Sequence, residues 1–158
     1  MKKVFLSIIT AAALTLGIQE SKAQTPYKTA LGLGIDLGDG ATLFGPQIKH
    51  AFSAHNAGQA QVLFGDHITT IGADYSYNKP FQGANGLNWY VGVGPQLTFF
   101  DSKHVDTQFA LRPAAGLEFV IPQSPIGIHF DWKPWWTLSG SSHFEAGRFS
   151  LGFKYILK

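Results

Sequence analysis

The segment IGIHFDWKPWW, which runs from Ile126 to Trp136, carries the residue alternation that decides the fold. One set of alternate positions holds large apolar side chains: Ile126, Ile128, Phe130 and Trp132. The other set holds small, polar or charged ones: Gly127, His129, Asp131 and Lys133. A period of two over this length is typical of a β-strand with two different faces. In a water-soluble sheet the apolar face would form the core, whereas in a sheet that sits in lipid it would be the outer surface.

The first residues of the chain have the pattern of a cleaved secretory signal. Two lysines precede an apolar run from Val4 to Gly17, and small residues at 21 and 23 stand where a signal peptidase cuts. The run of roughly 14 residues is shorter than the ~20 that a membrane-spanning helix needs. We therefore predict a signal peptide over residues 1–23, cleavage near Ala23 and a mature domain over residues 24–158.

The composition is unusual for a soluble domain. The 158 residues include no Cys and 18 Gly, and aromatic and charged residues each make up 14%. Typical soluble domains contain about 25% charged residues, and small secreted domains commonly depend on disulfides. Removal of residues 1–23 leaves nine basic and nine acidic side chains, so the basic isoelectric point does not indicate nucleic-acid binding. Together these features favour a membrane β-barrel.

Period-two alternation recurs in eight stretches that are separated by turn residues such as LGDGA and IPQSP. The predicted strands cover residues 29–37, 44–52, 59–65, 68–77, 87–99, 109–120, 126–136 and 148–158. Their even number and short connections predict an all-β fold, an eight-stranded antiparallel up-and-down transmembrane β-barrel. Pro95 and Pro113 fall inside two strands, and we expect them to face each other at a local bulge.

The less apolar face of these strands is dominated by small residues. Among them are Gly32, Gly34, Gly72, Gly92, Gly94, Ala110, Ala114, Gly116, Gly127, Ser150 and Gly152. A solvent-facing strand surface would favour larger polar residues, whereas an eight-stranded barrel has an interior only just wide enough for side chains. We therefore predict that this face lines the interior and that the large apolar face contacts hydrocarbon, because such a belt in water would aggregate.

Aromatic residues gather near both ends of the predicted strands, as in the girdles at membrane interfaces. The girdle on the side of the chain termini is predicted to contain Tyr27, Tyr77, Trp89 and Tyr155. The girdle on the opposite side is predicted to contain Phe99, Trp132, Trp135 and Trp136.

Ten ionisable residues are predicted to point into the barrel: Asp36, Lys49, Asp74, Arg112, Glu118, His129, Asp131, Lys133, Arg148 and Lys154. Buried charges persist only when they are paired, so the mixed signs favour an ion-pair network that plugs the lumen. A narrow polar pore is the alternative, although open channels belong to barrels of about 16 strands. Across the sixth and seventh strands we expect His129 near Glu118, and Asp131 within diagonal reach of Arg112.

Catalysis is a further alternative. Ser142, His143 and Glu145 of SSHFEAG could supply a nucleophile, a base and an orienting group for a lipid-modifying enzyme. Polar loops often contain such residues, and we predict no enzyme. The six histidines lack metal-ligand spacing, so no metal or cofactor is predicted. A soluble lipocalin-like binder of an apolar ligand would need the Ile/Phe/Trp face inward, which the glycine-rich opposite face disfavours.

Four segments, KHAFSAHNA, GLNWYVGVG, IHFDWKP and SLGFKY, give the chain a recognisable pattern. Over essentially the whole mature domain it resembles the small eight-stranded outer-membrane β-barrel proteins, in particular the short barrels of Bacteroidetes-type bacteria. The resemblance implies the outer membrane of a Gram-negative bacterium, with its lipid and lipopolysaccharide as partners and the barrel-insertion machinery for assembly. It says little about activity, because the family mostly lacks an assigned one. We therefore expect a non-catalytic protein with a structural or surface-interaction role.

Overall fold

The computed structural model describes residues 27–102 and 105–157. The predicted signal peptide and Lys158, the last residue of the eighth predicted strand, lie outside the described residues. Within them there is no helix that is long and apolar enough to cross a membrane. The strands are β1 (Thr29–Gly38), β2 (Ala41–Ala51), β3 (Asn56–Gly65), β4 (Ile68–Pro80), β5 (Leu87–Phe100), β6 (Gln108–Val120), β7 (Ile126–Trp132), β8 (Trp135–Thr137), β9 (His143–Glu145) and β10 (Phe149–Leu157).

Eight of these strands form a closed antiparallel barrel. From β1 to β7 each strand pairs with the next, and β10 pairs with both β7 and β1 to complete the ring. The predicted all-β, eight-stranded antiparallel barrel is confirmed. We call the end that carries Thr29 and Leu157 the terminal end, and the opposite end, with the β1–β2 turn, the distal end.

The two short strands extend the last hairpin of the barrel at the distal end. Ala115 pairs with Trp132 and Ala110 with Thr137, so β8 keeps the register of β7 against β6. The seventh predicted strand, residues 126–136, is therefore one strand that is interrupted at Lys133–Pro134, where proline supplies no N–H donor. On the other side of the same strand, β7 pairs with β10 and β8 pairs with β9. The register of β9 differs from that of β10 by one residue, which marks a bulge.

Side chains alternate between the two surfaces of the barrel as the period of two predicts. Large apolar residues face outward, and Leu33, Phe44 and Phe130 keep exposed fractions of 62%, 65% and 52%. Their polar neighbours face inward, where His129 is 1% exposed. A lipocalin-like arrangement requires the opposite orientation of the two faces, and the barrel does not have it.

The expected bulge at the two prolines is wrong. Pro95 pairs with Leu111 and Pro113 with Val93, within one unbroken register along the β5–β6 hairpin. The interruption lies instead between β4 and β5, where the pairing skips the position of Pro95. The adjacent Gly94 permits a close approach there, since a Cβ at this position would collide with the Ala73 carbonyl oxygen.

Candidate functional site in the barrel interior

All ten residues predicted to line the interior are buried inside the barrel. Their inward orientation follows from the alternation, because each shares its face with the small residues of its strand. Nine of them form three clusters, one near the terminal end, one at mid-height and one near the distal end, and His129 Nε2 lies 3.9 Å from Asp131 Oδ2 of the middle cluster. Their contacts run mostly between strands that are not neighbours in the sheet.

The terminal cluster is centred on the carboxylate of Glu118. Its Oε2 accepts hydrogen bonds from Lys49 Nζ at 3.0 Å and Lys154 Nζ at 2.8 Å, and its Oε1 accepts one from Tyr27 Oη at 2.7 Å. Burial, together with this carboxylate, raises the pKa of the hydroxyl of Tyr27, which precedes β1, so it remains a donor. A single carboxylate thus binds two ammonium groups and one phenol.

The middle cluster contains two carboxylates. Asp74 accepts two hydrogen bonds from Arg112 Nη2, at 2.8 and 2.9 Å, and one from Lys133 Nζ at 3.1 Å. Asp131 accepts a hydrogen bond from the Tyr90 hydroxyl and lies 3.9 Å from Lys133 Nζ. Lys133 therefore connects the two carboxylates.

The distal cluster is built around the guanidinium of Arg148. Its Nη2 lies 2.7 Å from Asp36 Oδ1, and its Nη1 donates to Glu145 Oε1 at 3.1 Å. The Trp135 ring stacks on the same guanidinium, with 3.7 Å between its centroid and Arg148 Cζ. Trp135 also joins an apolar cluster with Leu43 and Leu63, which covers this end of the interior.

The two predicted contacts between the sixth and seventh strands have different outcomes. His129 does lie opposite Glu118 in the β6–β7 register, but the Glu118 carboxylate accepts its hydrogen bonds from other side chains. The predicted pairing of Asp131 with Arg112 is wrong, because Arg112 crosses the interior to Asp74. Gly72 makes this possible, since a Cβ at that position would collide with the guanidinium.

Two of the predicted girdle residues point inward, and their assignment to the outer surface is wrong. Tyr27 lies before β1, where strand alternation does not fix its direction, and its hydroxyl binds Glu118. Trp135 is separated from His129 and Asp131 by an even number of positions along the same stretch. The alternation would therefore have indicated its inward direction. The other predicted girdle residues face outward: Tyr77, Trp89, Phe99, Trp132, Trp136 and Tyr155.

Sequence reasoning assigned no role to several polar residues that take part in the network. Tyr90 donates to Asp131, Asn78 accepts from Lys49 at 2.8 Å, and Gln59 accepts from Lys154 at 3.1 Å. All three occupy inward positions of their strands, which is the signal that could have identified them.

The three residues of the possible catalytic loop are engaged separately. Trp136 Nε1 donates to Ser142 Oγ at 3.3 Å, and Glu145 binds Arg148. No hydrogen bond joins His143 to Ser142 or Glu145 in the part of the chain that the structure describes. Over the same residues, no three His, Asp or Glu side chains form a group that could hold a metal ion.

Fold and interior together define a small closed β-barrel with an apolar outer surface and a charged, ion-paired interior. No protein-family model matches the chain, and no curated protein matches it.

Proposed function

We propose that the chain is an integral outer-membrane β-barrel whose lumen is closed by its own ion-paired side chains. The observation that carries the proposal is the inverted distribution of residue types. In the barrel strands of the described residues, most leucine, isoleucine and phenylalanine side chains face outward, whereas the aspartate, lysine and arginine side chains between the two ends face inward. A soluble domain would bury the former and expose the latter, while a barrel in hydrocarbon requires this arrangement.

A closed lumen is supported by the glycines on the inner face. A Cβ at Gly38 or Gly72 would collide with the guanidinium of Arg148 or Arg112, and one at Gly152 with the His129 ring. The space that these glycines leave is thus occupied by long side chains. Since the two arginines are held by ion pairs, we propose a plugged barrel rather than a pore, with a structural or surface-interaction role and no catalytic activity.

The resemblance to short Bacteroidetes-type barrels supports the same assignment, and it adds the expected partners. These are the lipid and lipopolysaccharide of the outer membrane and the machinery that inserts barrels there. Export through the predicted signal peptide, residues 1–23, would bring the chain to that machinery.

Membrane fractionation tests the proposal most directly. We expect the protein to sediment with outer-membrane vesicles and to migrate differently in gel electrophoresis before and after boiling, because a folded barrel resists detergent. Recovery in the soluble fraction would contradict the membrane assignment. Purified protein reconstituted into dye-loaded vesicles should leave the dye enclosed, and rapid dye release would contradict the closed lumen.

A further inference from the structure

Among the described residues, the lysine and carboxylate side chains outside the interior lie at opposite ends of the barrel. Among residues 27–102 and 105–157, every carboxylate that is not buried lies at the distal end: Asp39, Asp66, Asp101, Asp106 and Glu145. Over the same residues, the lysines that are not buried, Lys28 and Lys79, both lie at the terminal end. Among these described residues, the lysines outside the interior thus lie at the opposite end from the carboxylates.

The two lysines belong to an arc of basic residues at the terminal ends of β1 to β4, formed by Lys28, His50, His55 and Lys79. We call it the basic arc. Its backbone is fixed, because Ala51 N donates to Lys28 O at 2.8 Å. His50 Nδ1 lies 2.8 Å from Thr29 Oγ1, and His55 Nδ1 lies 3.2 Å from the carbonyl oxygen that precedes Lys79.

Aromatic rings lie beside the basic arc. The ring of His50 lies 5.6 Å from that of Phe52, and the ring of His55 lies 5.4 Å from that of Tyr77. The Tyr77 ring in turn lies 6.1 Å from that of Trp89, whose residue pairs with Lys79 in the β4–β5 ladder. Aromatic rings of this kind are typical of the level at which lipid head groups meet the hydrocarbon.

Above the arc, the outer surface of β2 to β5 contains an apolar groove of about 640 Å³. Its floor consists of small outward residues, namely Pro46, Ala60, Ala73 and Pro95, and larger ones such as Leu31 and Phe109 form its sides. The outward side chains that line it are all apolar, and its volume is within the range of sites for a single small ligand. The groove therefore suits a hydrocarbon chain.

Strand β4 connects the groove to the basic arc. Its outward residues are, in order, Ile71, Ala73, Tyr75, Tyr77 and Lys79. The six residue steps from Ala73 to Lys79 span about 20 Å along the strand, which is about 15 Å along the axis of a barrel whose strands tilt by about 40°. That height is half of a hydrocarbon core of about 30 Å, so one acyl chain would reach from the arc to the groove.

We propose that the barrel binds an anionic phospholipid of the leaflet at its terminal end, with the phosphate on the basic arc and an acyl chain in the groove. The proposal rests on the proposed membrane location. An anionic head group fits better than a zwitterionic one, because lysine attracts acidic lipids and the described residues place no exposed carboxylate at this end.

Spin-labelled lipids in reconstituted vesicles test this site. Full-length protein is reconstituted in phosphatidylcholine with a minor fraction of labelled phosphatidylglycerol, or of labelled phosphatidylcholine, and the immobilised fraction of each label is measured. We expect phosphatidylglycerol to be enriched about fivefold over phosphatidylcholine, the factor that one lysine near an acidic lipid contributes. Equal immobilisation of the two lipids would overturn the proposal.

Paired variants locate the site. Lys28→Gln with Lys79→Gln should abolish the preference, whereas Asp66→Asn with Asp101→Asn, at the other end, should retain it. Ala73→Phe fills the groove and should weaken retention, while Ala115→Phe, an outward alanine outside the groove, should not. Unchanged preference in both the lysine and Ala73 variants would overturn the site, as would competition by free inorganic phosphate. Failure to insert into any vesicle would instead contradict the membrane location itself.

Discussion

The ammonium group of Lys154 and the carboxylate of Glu118 lie 2.8 Å apart in the barrel interior, although their strands, β10 and β6, are not neighbours in the sheet. The contact therefore crosses the lumen rather than a strand pair. With Lys49 on β2 bound to the same carboxylate, Glu118 connects three strands from inside. The interior charges thus fill the lumen and also hold strands together that are not hydrogen-bonded to each other.

We predict that Glu118→Gln lowers the free energy of unfolding by about 3–5 kcal/mol, because it leaves two buried ammonium groups without their counter-charge. Urea titration of the detergent-folded barrel measures this. Glu145→Gln is the matched control. Its partner Arg148 keeps Asp36, and the partly exposed pair should contribute no more than about 1 kcal/mol. Equal effects of the two variants would contradict the inference that Glu118 stabilises the barrel by connecting three strands.

Gly32→Ala should destabilise the seam between β1 and β10. A Cβ at Gly32 would collide with the Phe153 carbonyl oxygen, a backbone atom that cannot move without opening the pairing. We expect a loss of about 1–3 kcal/mol, as for other overpacked sites. Gly127→Ala is the control, since its Cβ would meet nothing closer than 3.8 Å. The electrophoretic mobility of unboiled samples and urea titration measure the stability of both variants. A Gly32→Ala barrel as stable as the native one would show that β1 and β10 can separate enough to accept the methyl group.

Ile128→Trp tests what surrounds the outer surface. The side chain points outward beside the buried His129, so lipid can accommodate the larger ring, whereas a filled core would be overpacked by about 1–3 kcal/mol. We predict near-native stability in lipid, and fluorescence that brominated acyl chains quench beyond the background of the four native tryptophans. Strong destabilisation without added quenching would mean that hydrocarbon does not cover this face.

Ser142→Ala should leave the acyl pattern of lipid A unchanged in cells that express the protein. The Ser142 hydroxyl accepts a hydrogen bond from Trp136, and the carboxylate that could orient His143 is bound to Arg148. Mass spectrometry of extracted lipid A provides the measurement. A difference between the native and Ser142→Ala strains would favour the lipid-modifying enzyme.

The sequence predicts most of the barrel because strand alternation is a local property. The inward positions of all ten ionisable residues follow from counting along each strand, and so would the inward direction of Trp135. Partners across the lumen do not follow in this way. Arg112 binds Asp74 on a strand that is not its neighbour, and this depends on the curvature of the closed sheet and on the space at Gly72. Strand β9, with three residues, is too short to show any period.

Closure of the ring through β1 and β10 places the first and last described strands side by side, with Thr29 opposite Leu157. This pairing has nearly the largest sequence separation that the domain allows, and such contacts slow folding because a long loop must close first. Until β10 has paired with both of its neighbours, β1 and β7 present unpaired edges that invite aggregation. We therefore expect a variant that lacks β10 to expose the edges of both β1 and β7, so that the last strand completes the protection of the whole ring.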